Sequence, residues 1–160
     1  MQVETRPEHL MPNDKWDQRY LEMARLVALW SKDPSTGCGA VIVRPDRSLV
    51  SVGFNGFPRR LADNMAHYHD RPIKLSRMAH SEANAVRHAR ERLDGYTVYS
   101  WPMLPCDRCA NQLINHEIAR IVCTPPTPEQ AERWAFSFDS TRSMCADAGV
   151  YLDIVELRAP

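Results

Sequence analysis

The sequence has no long hydrophobic run. No apolar stretch approaches the roughly 20 residues that a helix needs to cross a bilayer. The opening residues, 1–11, are polar and lack the apolar segment of a secretory signal. These absences argue against a membrane-spanning or secreted protein. We therefore expect a cytoplasmic protein, located in the host cytoplasm if the chain is viral.

An excess of charge of one sign is also missing. The 20 Lys and Arg residues balance the 20 Asp and Glu residues, so the formal net charge at pH 7 is zero. A nucleic-acid-binding protein usually presents a broad basic surface, and this balance argues against one while leaving room for a local basic patch. We expect neither a nucleic acid nor a membrane as the partner.

The five cysteines do not suit a disulfide framework, because their number is odd and their spacing is irregular. Cys38, Cys123 and Cys145 lie in apolar surroundings, where we expect buried free thiols. The other two cysteines belong to a motif described below.

The length and composition fit a single globular domain. Hydrophobic residues make up 44% and charged residues 25% of the 160 residues, which is enough to build one sizeable core. We place this domain at residues 14–160, behind a loose N-terminal arm at residues 1–13.

The pattern of apolar residues predicts alternating helices and strands. An apolar stripe through Trp16, Tyr20, Met23 and Val27 predicts a helix from about residue 15 to 31, capped by Asn13 or Asp14. Residues 55–78 show little periodicity, and we expect a long loop there. The other predicted helices are 81–93, 105–116, 129–134 and 140–148, and the predicted strands are 40–43, 49–54, 96–101, 119–123 and 151–157.

This order of elements is typical of an α/β fold. The first two strands are joined by a short turn and predict a hairpin, whereas the later strands alternate with helices. We therefore expect a three-layer α/β/α domain around a mixed, five-stranded sheet.

The strongest chemical motif is His80-Ser81-Glu82 followed by Pro105-Cys106-Asp107-Arg108-Cys109. One histidine and two cysteines are ligands that suit Zn²⁺, and three protein ligands leave one tetrahedral position open for water. Glu82 is near enough to reach that water without binding the metal. This pattern matches the motif of zinc nucleobase deaminases, in which such a glutamate transfers protons during hydrolysis. The alternative is a structural zinc site completed by Cys123, His88 or His116.

The chain resembles the cytidine and deoxycytidylate deaminase superfamily, and within it the deoxycytidylate (dCMP) deaminase branch. The zinc motif is common to the superfamily, whereas the stretch Gly-Phe-Asn-Gly-Phe-Pro at residues 53–58 is more specific to the branch. The resemblance extends over most of residues 15–150 and includes the stretches at 31–36, 39–43, 53–58, 80–85 and 105–110.

The resemblance implies a role for each matching residue. Glu82 would be the catalytic proton shuttle, and His80, Cys106 and Cys109 would bind one catalytic zinc ion. Asn55 would hydrogen-bond the sugar, although an asparagine before Gly56 also suits a turn. Ser31, Lys32 and Thr36 are further substrate-binding candidates, because relatives hold the nucleotide phosphate near this turn.

The implied reaction is the hydrolysis of dCMP to dUMP and ammonia. The resemblance also implies a homo-oligomer, with a hexamer favoured, and regulation by dCTP and dTTP with Mg²⁺ accompanying the nucleotide effector. Alternatives are a deaminase of another cytosine or modified-cytosine nucleotide or nucleoside, a tRNA adenosine deaminase, and a zinc-binding module without activity.

The stretch at residues 59–77 departs from the family pattern. Its cationic side chains could form a phosphate site or could belong to a solvated loop. They are Arg59, Arg60, Arg71, Lys74 and Arg77. Its histidines, His67 and His69, have no assigned role.

Overall fold

The computed structural model describes residues 5–159 and contains a mixed five-stranded sheet and seven α-helices. The strands are β1 (Gly39–Val43), β2 (Leu49–Phe54), β3 (Thr97–Trp101), β4 (Arg120–Cys123) and β5 (Tyr151–Ile154). The helices are α1 (Asp14–Ala28), α2 (Met65–His69), α3 (Arg71–Arg77), α4 (Ser81–His88), α5 (Asp107–Asn115), α6 (Pro128–Arg133) and α7 (Ala135–Ala148).

The strand order in the sheet is β2-β1-β3-β4-β5. Strand β1 pairs antiparallel with β2 and β3, whereas β3–β4 and β4–β5 are parallel pairs. The mixed five-stranded sheet is therefore confirmed, as is the hairpin formed by the first two strands.

The sheet is covered on both faces. On one face, α1 packs Tyr20, Leu21 and Ala24 against Val41 and Tyr99. The other face packs against α4, α5 and α7, in a core that includes Ala40, Ile42, Ala85, Val98, Leu113, Ile121 and Cys145. Successive strand residues face opposite sides, which is why neighbouring residues of β1 enter different cores. The three-layer prediction is confirmed.

Two glycines allow helices to approach the hairpin closely. A Cβ atom on Gly39 would lie 2.0 Å from the main-chain oxygen of Ala24 in α1. A Cβ atom on Gly53 would lie 2.3 Å from the main-chain oxygen of Ser81, in the first turn of α4. Since such distances are impossible for a real side chain, Gly53 helps to set the depth at which the His80–Glu82 segment lies against the sheet.

Residues 55–78 differ from the predicted loop, because they contain the short helices α2 and α3. The side chain of Asn64 caps α2, and that of Asp70 caps α3. Helices of five and seven residues carry too few turns for an apolar stripe to show in the sequence. A second difference is α4, which ends at His88 instead of residue 93, because Ala89 is extended.

The predicted N-terminal arm lies partly outside the described residues, at positions 1–4. In the part described, Arg6 forms an ion pair with Asp153 of β5 and Leu10 is buried. Asn13 caps α1 by accepting a hydrogen bond from the Trp16 amide, as predicted. Within residues 5–159, no helix has the length and apolar character needed to span a bilayer.

Candidate active site

Three predicted metal ligands converge at the starts of α4 and α5. The ligand atoms of His80, Cys106 and Cys109 all lie within 4.8 Å of one another. His80 is the residue just before α4, Cys106 is the residue just before α5, and Cys109 lies in the first turn of α5. Neither His80 nor Cys106 caps its helix with its side chain, so both side chains are free to face the cluster.

The donor set and its spacing fit zinc. The Nδ1 atom of His80 lies 3.4 Å from the Sγ atoms of both Cys106 and Cys109. Zinc bonds of about 2.1 Å to nitrogen and about 2.3 Å to sulfur, at tetrahedral angles, place the two donor atoms roughly 3.5 Å apart. Among the described residues, this is the one group of three or more metal-binding side chains, so Cys123, His88, His116, His67 and His69 join no such group.

The cluster also favours the ionised form of a thiol. The hydrogen bond from Cys109 lowers the pKa of Cys106 to about 4, and His80 contributes to the same shift. This hydrogen bond raises the pKa of Cys109, and the interaction with Cys106 raises the pKa of His80. The ligand geometry alone thus favours one thiolate, and a divalent cation among the three atoms would stabilise both.

Glu82 lies beside the cluster without joining it. Its side chain is buried, with 6% of the residue exposed. The Ser100 hydroxyl donates to Oε1 at 2.8 Å, and the Ser81 hydroxyl donates to Oε2 at 3.1 Å. Each carboxylate oxygen therefore has a donor that fixes its position, and each keeps a further lone pair for a ligand.

The loop that carries the cysteines is fastened to α7. Ser137 Oγ donates to Oδ1 of Asp107 at 2.8 Å and accepts from the Asp107 amide at 2.9 Å. The fully buried Thr141 donates to the main-chain oxygen of Pro105 at 3.0 Å. These contacts flank Cys106, so α7 contributes to the position of the ligand loop.

A pocket opens onto His80, Glu82 and Cys106. Its aromatic lining comes entirely from residues 101–138, whereas most of its polar lining comes from residues 33–74. The polar side chains outside the ligand cluster include Asp33, Ser35, Thr36, Asn55, Arg71 and Lys74. The apolar side chains from the later segment are Trp101, Pro102, Met103, Leu104, Trp134 and Phe138.

The structure separates the four predicted substrate contacts into two groups. Asn55 and Thr36 line the pocket. Ser31 and Lys32 are not among the lining residues of the described chain, because Ser31 donates to the main-chain oxygen of Asn55 and the exposed Lys32 pairs with Asp63. The Asn55 carboxamide also hydrogen-bonds the neighbouring main chain. It accepts from the Cys38 amide at 2.7 Å and donates to the Thr36 carbonyl at 2.9 Å.

Only part of the basic stretch reaches the pocket. Arg71 and Lys74, both on α3, line it. Lys74 is buried and lies 3.1 Å from both Asp33 Oδ1 and Ser35 Oγ, so its charge is already compensated. Arg71 is exposed and makes no ion pair within the described chain, which leaves its guanidinium available to a ligand.

Three of the pocket residues that the sequence analysis did not identify come from the last two helices. Arg133, Trp134 and Phe138 come from α6, α7 and the junction between them. The aromatic pair at positions 134 and 138 has helical spacing, which in a sequence indicates only ordinary core packing.

Comparison with known proteins identifies the family. Residues 14–124 match the model of the cytidine and deoxycytidylate deaminase zinc-binding region. The chain therefore belongs to the cytidine and deoxycytidylate deaminase family. The His80, Cys106 and Cys109 cluster lies inside the matched region, in agreement with a zinc-binding domain.

Relatives of this deaminase chain occur in bacteria and animals. An uncharacterized deaminase in the luxG 3' region of Aliivibrio fischeri is 39% identical over 136 residues, covering 85% of this chain and 90% of that protein. A probable deoxycytidylate deaminase of Caenorhabditis elegans is 36% identical over 111 residues, which cover 67% of this chain but only 56% of the nematode protein.

A solved structure has the same fold. The dCMP deaminase of the cyanophage S-TIM5, in complex with dCMP and dUMP, superposes with a TM-score of 0.70. The alignment covers 91% of this chain and 100% of the phage chain at 18% sequence identity. The cytidine-deaminase-like fold expected from the sequence is thereby confirmed.

Proposed function

We propose that this deaminase converts dCMP and water to dUMP and ammonia. The observation that carries the proposal is the Glu82 carboxylate, held by Ser81 and Ser100 beside three zinc-type ligands at the end of a pocket. The names of the nematode relative and the phage structure support dCMP as the substrate.

In this proposal His80, Cys106 and Cys109 bind one zinc ion. A zinc ion held by these three side chains would supply Lewis-acid chemistry that makes water a stronger acid and a nucleophile near neutral pH. No fourth side chain from the described residues joins the three, and three protein ligands are the number typical of a catalytic zinc site.

Glu82 handles both protons of the attacking water. It first accepts one proton and passes it to N3 of the cytosine ring, while the bond from the water oxygen to C4 forms. It then carries the second proton to the amino nitrogen as the C4–N bond breaks and ammonia leaves. Uracil keeps the oxygen and the N3 proton, so atoms and charges balance.

The sugar and phosphate are assigned to the polar lining. Asn55 uses one lone pair of Oδ1 for the Cys38 amide, and the second can accept a sugar hydroxyl. Thr36 also lines the pocket. Ser31 and Lys32 are assigned no direct contact with the substrate, and they contribute by stabilising the turn that carries Thr36. On α3, Arg71 is assigned to the phosphate in preference to Lys74, because Lys74 is already paired with Asp33.

The first experiment measures ammonia release and zinc content for the wild type and the Glu82→Gln variant. The variant should retain zinc while kcat for dCMP falls by a factor of about 10² to 10⁴, the usual effect of removing a general acid–base group. The substrates are dCMP, CMP, deoxycytidine, dCTP, 5-methyl-dCMP and a tRNA anticodon stem. An unchanged kcat in the variant would refute the role of Glu82, and turnover confined to another substrate would refute dCMP.

A second experiment tests the phosphate contact with a matched pair of arginines on α3. Arg71→Gln should lower kcat/KM for dCMP by roughly 10-fold to 100-fold, the effect of losing a charged hydrogen bond, and leave deoxycytidine unaffected. Arg77→Gln is the control, since Arg77 lies on the same helix but not in the pocket lining. Equal effects of the two substitutions would contradict the assignment.

The proposal includes a homo-oligomer, with a hexamer favoured, and regulation by dCTP and dTTP with Mg²⁺. The stretch at residues 53–58 supports a regulatory role through its contacts. Gly56 pairs with Ala79, the residue before His80, and Phe57 stacks on Tyr68 of α2 with ring centroids 4.0 Å apart. Light scattering gives the subunit number. A rate curve for dCMP that stays hyperbolic and unmoved by either nucleotide with Mg²⁺ would refute the regulation.

A further inference from the structure

The C-terminal helices contribute to the pocket although they lie outside the matched family region. That region ends at residue 124, whereas α6 begins at Pro128. Three side chains of this later segment line the pocket that contains Glu82, namely Arg133, Trp134 and Phe138. The site is therefore built from two parts of the chain, and only the first contains the zinc motif.

We infer that Arg133 and Trp134 form a nucleotide-recognition element, in which Trp134 packs on the apolar faces of a bound pyrimidine nucleotide and Arg133 meets its phosphate. The inference rests on the proposed function and adds the residues that set affinity. Neither side chain takes part in the proton transfers assigned to Glu82.

The backbone directs Trp134 into the pocket. Trp134 lies between two helices and is both the C-cap of α6 and the N-cap of α7, with φ −109° and ψ 17°. Its ring packs against a small core formed by Leu104, Cys123 and Phe138. Phe136, two positions later, is 83% exposed, so the two aromatic side chains have opposite environments on the same short segment.

The position of Trp134 is fixed relative to the zinc ligands. Leu104 belongs to the same core and lies two residues before Cys106. Ser137 and Thr141 bind the two residues that flank Cys106. Because these contacts connect α7 to the loop that carries Cys106, they hold the ring of Trp134 at a fixed position relative to the metal-ligand cluster.

The chemistry of the lining suits a nucleotide. Aromatic side chains bind the flat faces of bases by stacking, a contact that tolerates any base. The lining also supplies polar groups for a sugar from Asn55 and Thr36. A ligand with a flat apolar ring at one end and a polar, anionic group at the other satisfies both kinds of lining.

Arg133 has the freedom that a phosphate contact requires. Its side chain is 54% exposed, and its one ion pair among residues 5–159, to Glu129, has a long separation of 4.0 Å. Glu129 itself is 85% exposed, so the pair is weak and can be exchanged for an anion without a large loss. Arg71 lies on a different element, so a phosphate could be held from two sides of the chain.

The test measures binding without turnover. Each substitution is introduced into the Glu82→Gln variant, and the dissociation constant for dCMP is measured by calorimetry on zinc-loaded protein. Trp134→Ala should weaken dCMP binding at least about tenfold, and Trp134→Phe should restore most of it. Phe136→Ala, the matched control, should change it by less than about twofold. Trp134→Leu, which keeps apolar volume, decides the question if the alanine variant does not fold.

The arginine is tested with two ligands. Arg133→Gln should weaken binding of dCMP about tenfold or more and leave deoxycytidine unchanged. Arg142→Gln on α7 is the control, because Arg142 is also half-exposed and pairs with Asp139 outside the pocket lining.

The outcomes separate this inference from the proposed function. If the Glu82→Gln protein binds dCMP but Trp134→Ala and Trp134→Leu bind it as tightly as Phe136→Ala does, the recognition element is refuted and the proposed function stands. If zinc-loaded Glu82→Gln protein binds no dCMP while the wild type deaminates another substrate, the proposed function fails, and this inference fails with it.

Discussion

Ser100 Oγ donates a 2.8 Å hydrogen bond to Oε1 of Glu82, from strand β3 to the first turn of α4. Ser100 is buried, as is the carboxylate that it contacts. Its hydroxyl also lies 3.2 Å from the main-chain oxygen of Met103, in the loop that leads to the cysteine ligands. This serine therefore connects the proposed proton shuttle to the ligand loop.

Replacing Ser100 with alanine should lower kcat for dCMP without removing zinc. A hydrogen bond to a charged group contributes about 1.5–3 kcal/mol, which corresponds to a fall in kcat of roughly 10-fold to 100-fold if the bond orients the carboxylate during reaction. The measurements are kcat by ammonia release and zinc content by atomic absorption.

Ser51→Ala is the control for this prediction. Ser51 is also buried, and its hydroxyl donates to the main-chain oxygen of Ala85 in α4 at 2.7 Å. Its removal should cost stability but leave kcat within about twofold, because Ser51 does not contact Glu82. Comparable losses of kcat in both variants would show that any weakening of α4 lowers activity. The proposal that Ser100 orients the Glu82 carboxylate would then be refuted.

Thr141→Val should weaken zinc binding. The substitution leaves the buried Pro105 carbonyl without its donor at a position next to Cys106. Changes in the groups that support metal ligands commonly cost about 10-fold to 100-fold in metal affinity, and this indirect contact should fall near the lower value. The zinc dissociation constant is measured by competition with a chelator of known affinity.

Two further variants make the threonine test specific. Thr141→Ser keeps the hydroxyl and should restore zinc affinity. Thr124→Val removes a buried hydroxyl that has no hydrogen-bond partner among the described residues, so zinc affinity should stay unchanged. Weakened binding in Thr124→Val would mean that loss of any buried threonine hydroxyl affects the site.

Asp153 should make stability depend on acidic pH. Burial acts to raise the pKa of Asp153, but hydrogen bonds from Arg6 and Arg120 outweigh it and hold the pKa below its ordinary value. A lowered folded-state pKa stabilises the protein above the unfolded-state pKa of about 3.9, and this stabilisation is lost as the pH falls through the folded-state value. The free energy of unfolding of Asp153→Asn should therefore lie below that of the wild type at pH 7.

The difference between the two proteins should shrink as the pH falls below about 4. Urea unfolding at several pH values between 7 and 3 gives this difference directly, and zinc release at acidic pH affects both proteins. Asp94→Asn is the control, since the Arg92–Asp94 pair is exposed and should contribute little. A difference that stays constant from pH 7 to pH 3 would contradict the role of the Asp153 carboxylate.

The convergence of His80, Cys106 and Cys109 and the sheet could be predicted because their signals are local. Two helices begin at these side chains, and β1 is a short run that contains three β-branched residues. The place of Arg133 and Trp134 in the pocket lining could not be predicted, since contacts such as Ser137–Asp107, 30 residues apart, bring α7 to the site. For the same reason the sequence favoured Lys32 over Lys74, although it is Lys74 that lies in the pocket lining.

Asn55 shows where the sequence left two alternatives, a turn residue and a sugar contact. Asn55→Ala removes the partners of the Cys38 amide and the Thr36 carbonyl. Each unsatisfied buried group costs about 1–3 kcal/mol, so the free energy of unfolding should fall by about 2–6 kcal/mol, nearer the lower value because both groups are only partly buried. A sugar contact adds a second effect. Wild type should prefer dCMP to its 3'-deoxy analogue, and Asn55→Ala should lose that preference if the 3'-hydroxyl donates to Oδ1. A variant that is destabilised but keeps the wild-type preference would show that Asn55 stabilises the turn and does not bind the sugar. The sugar contact would then be assigned to Thr36 or another polar residue of the lining.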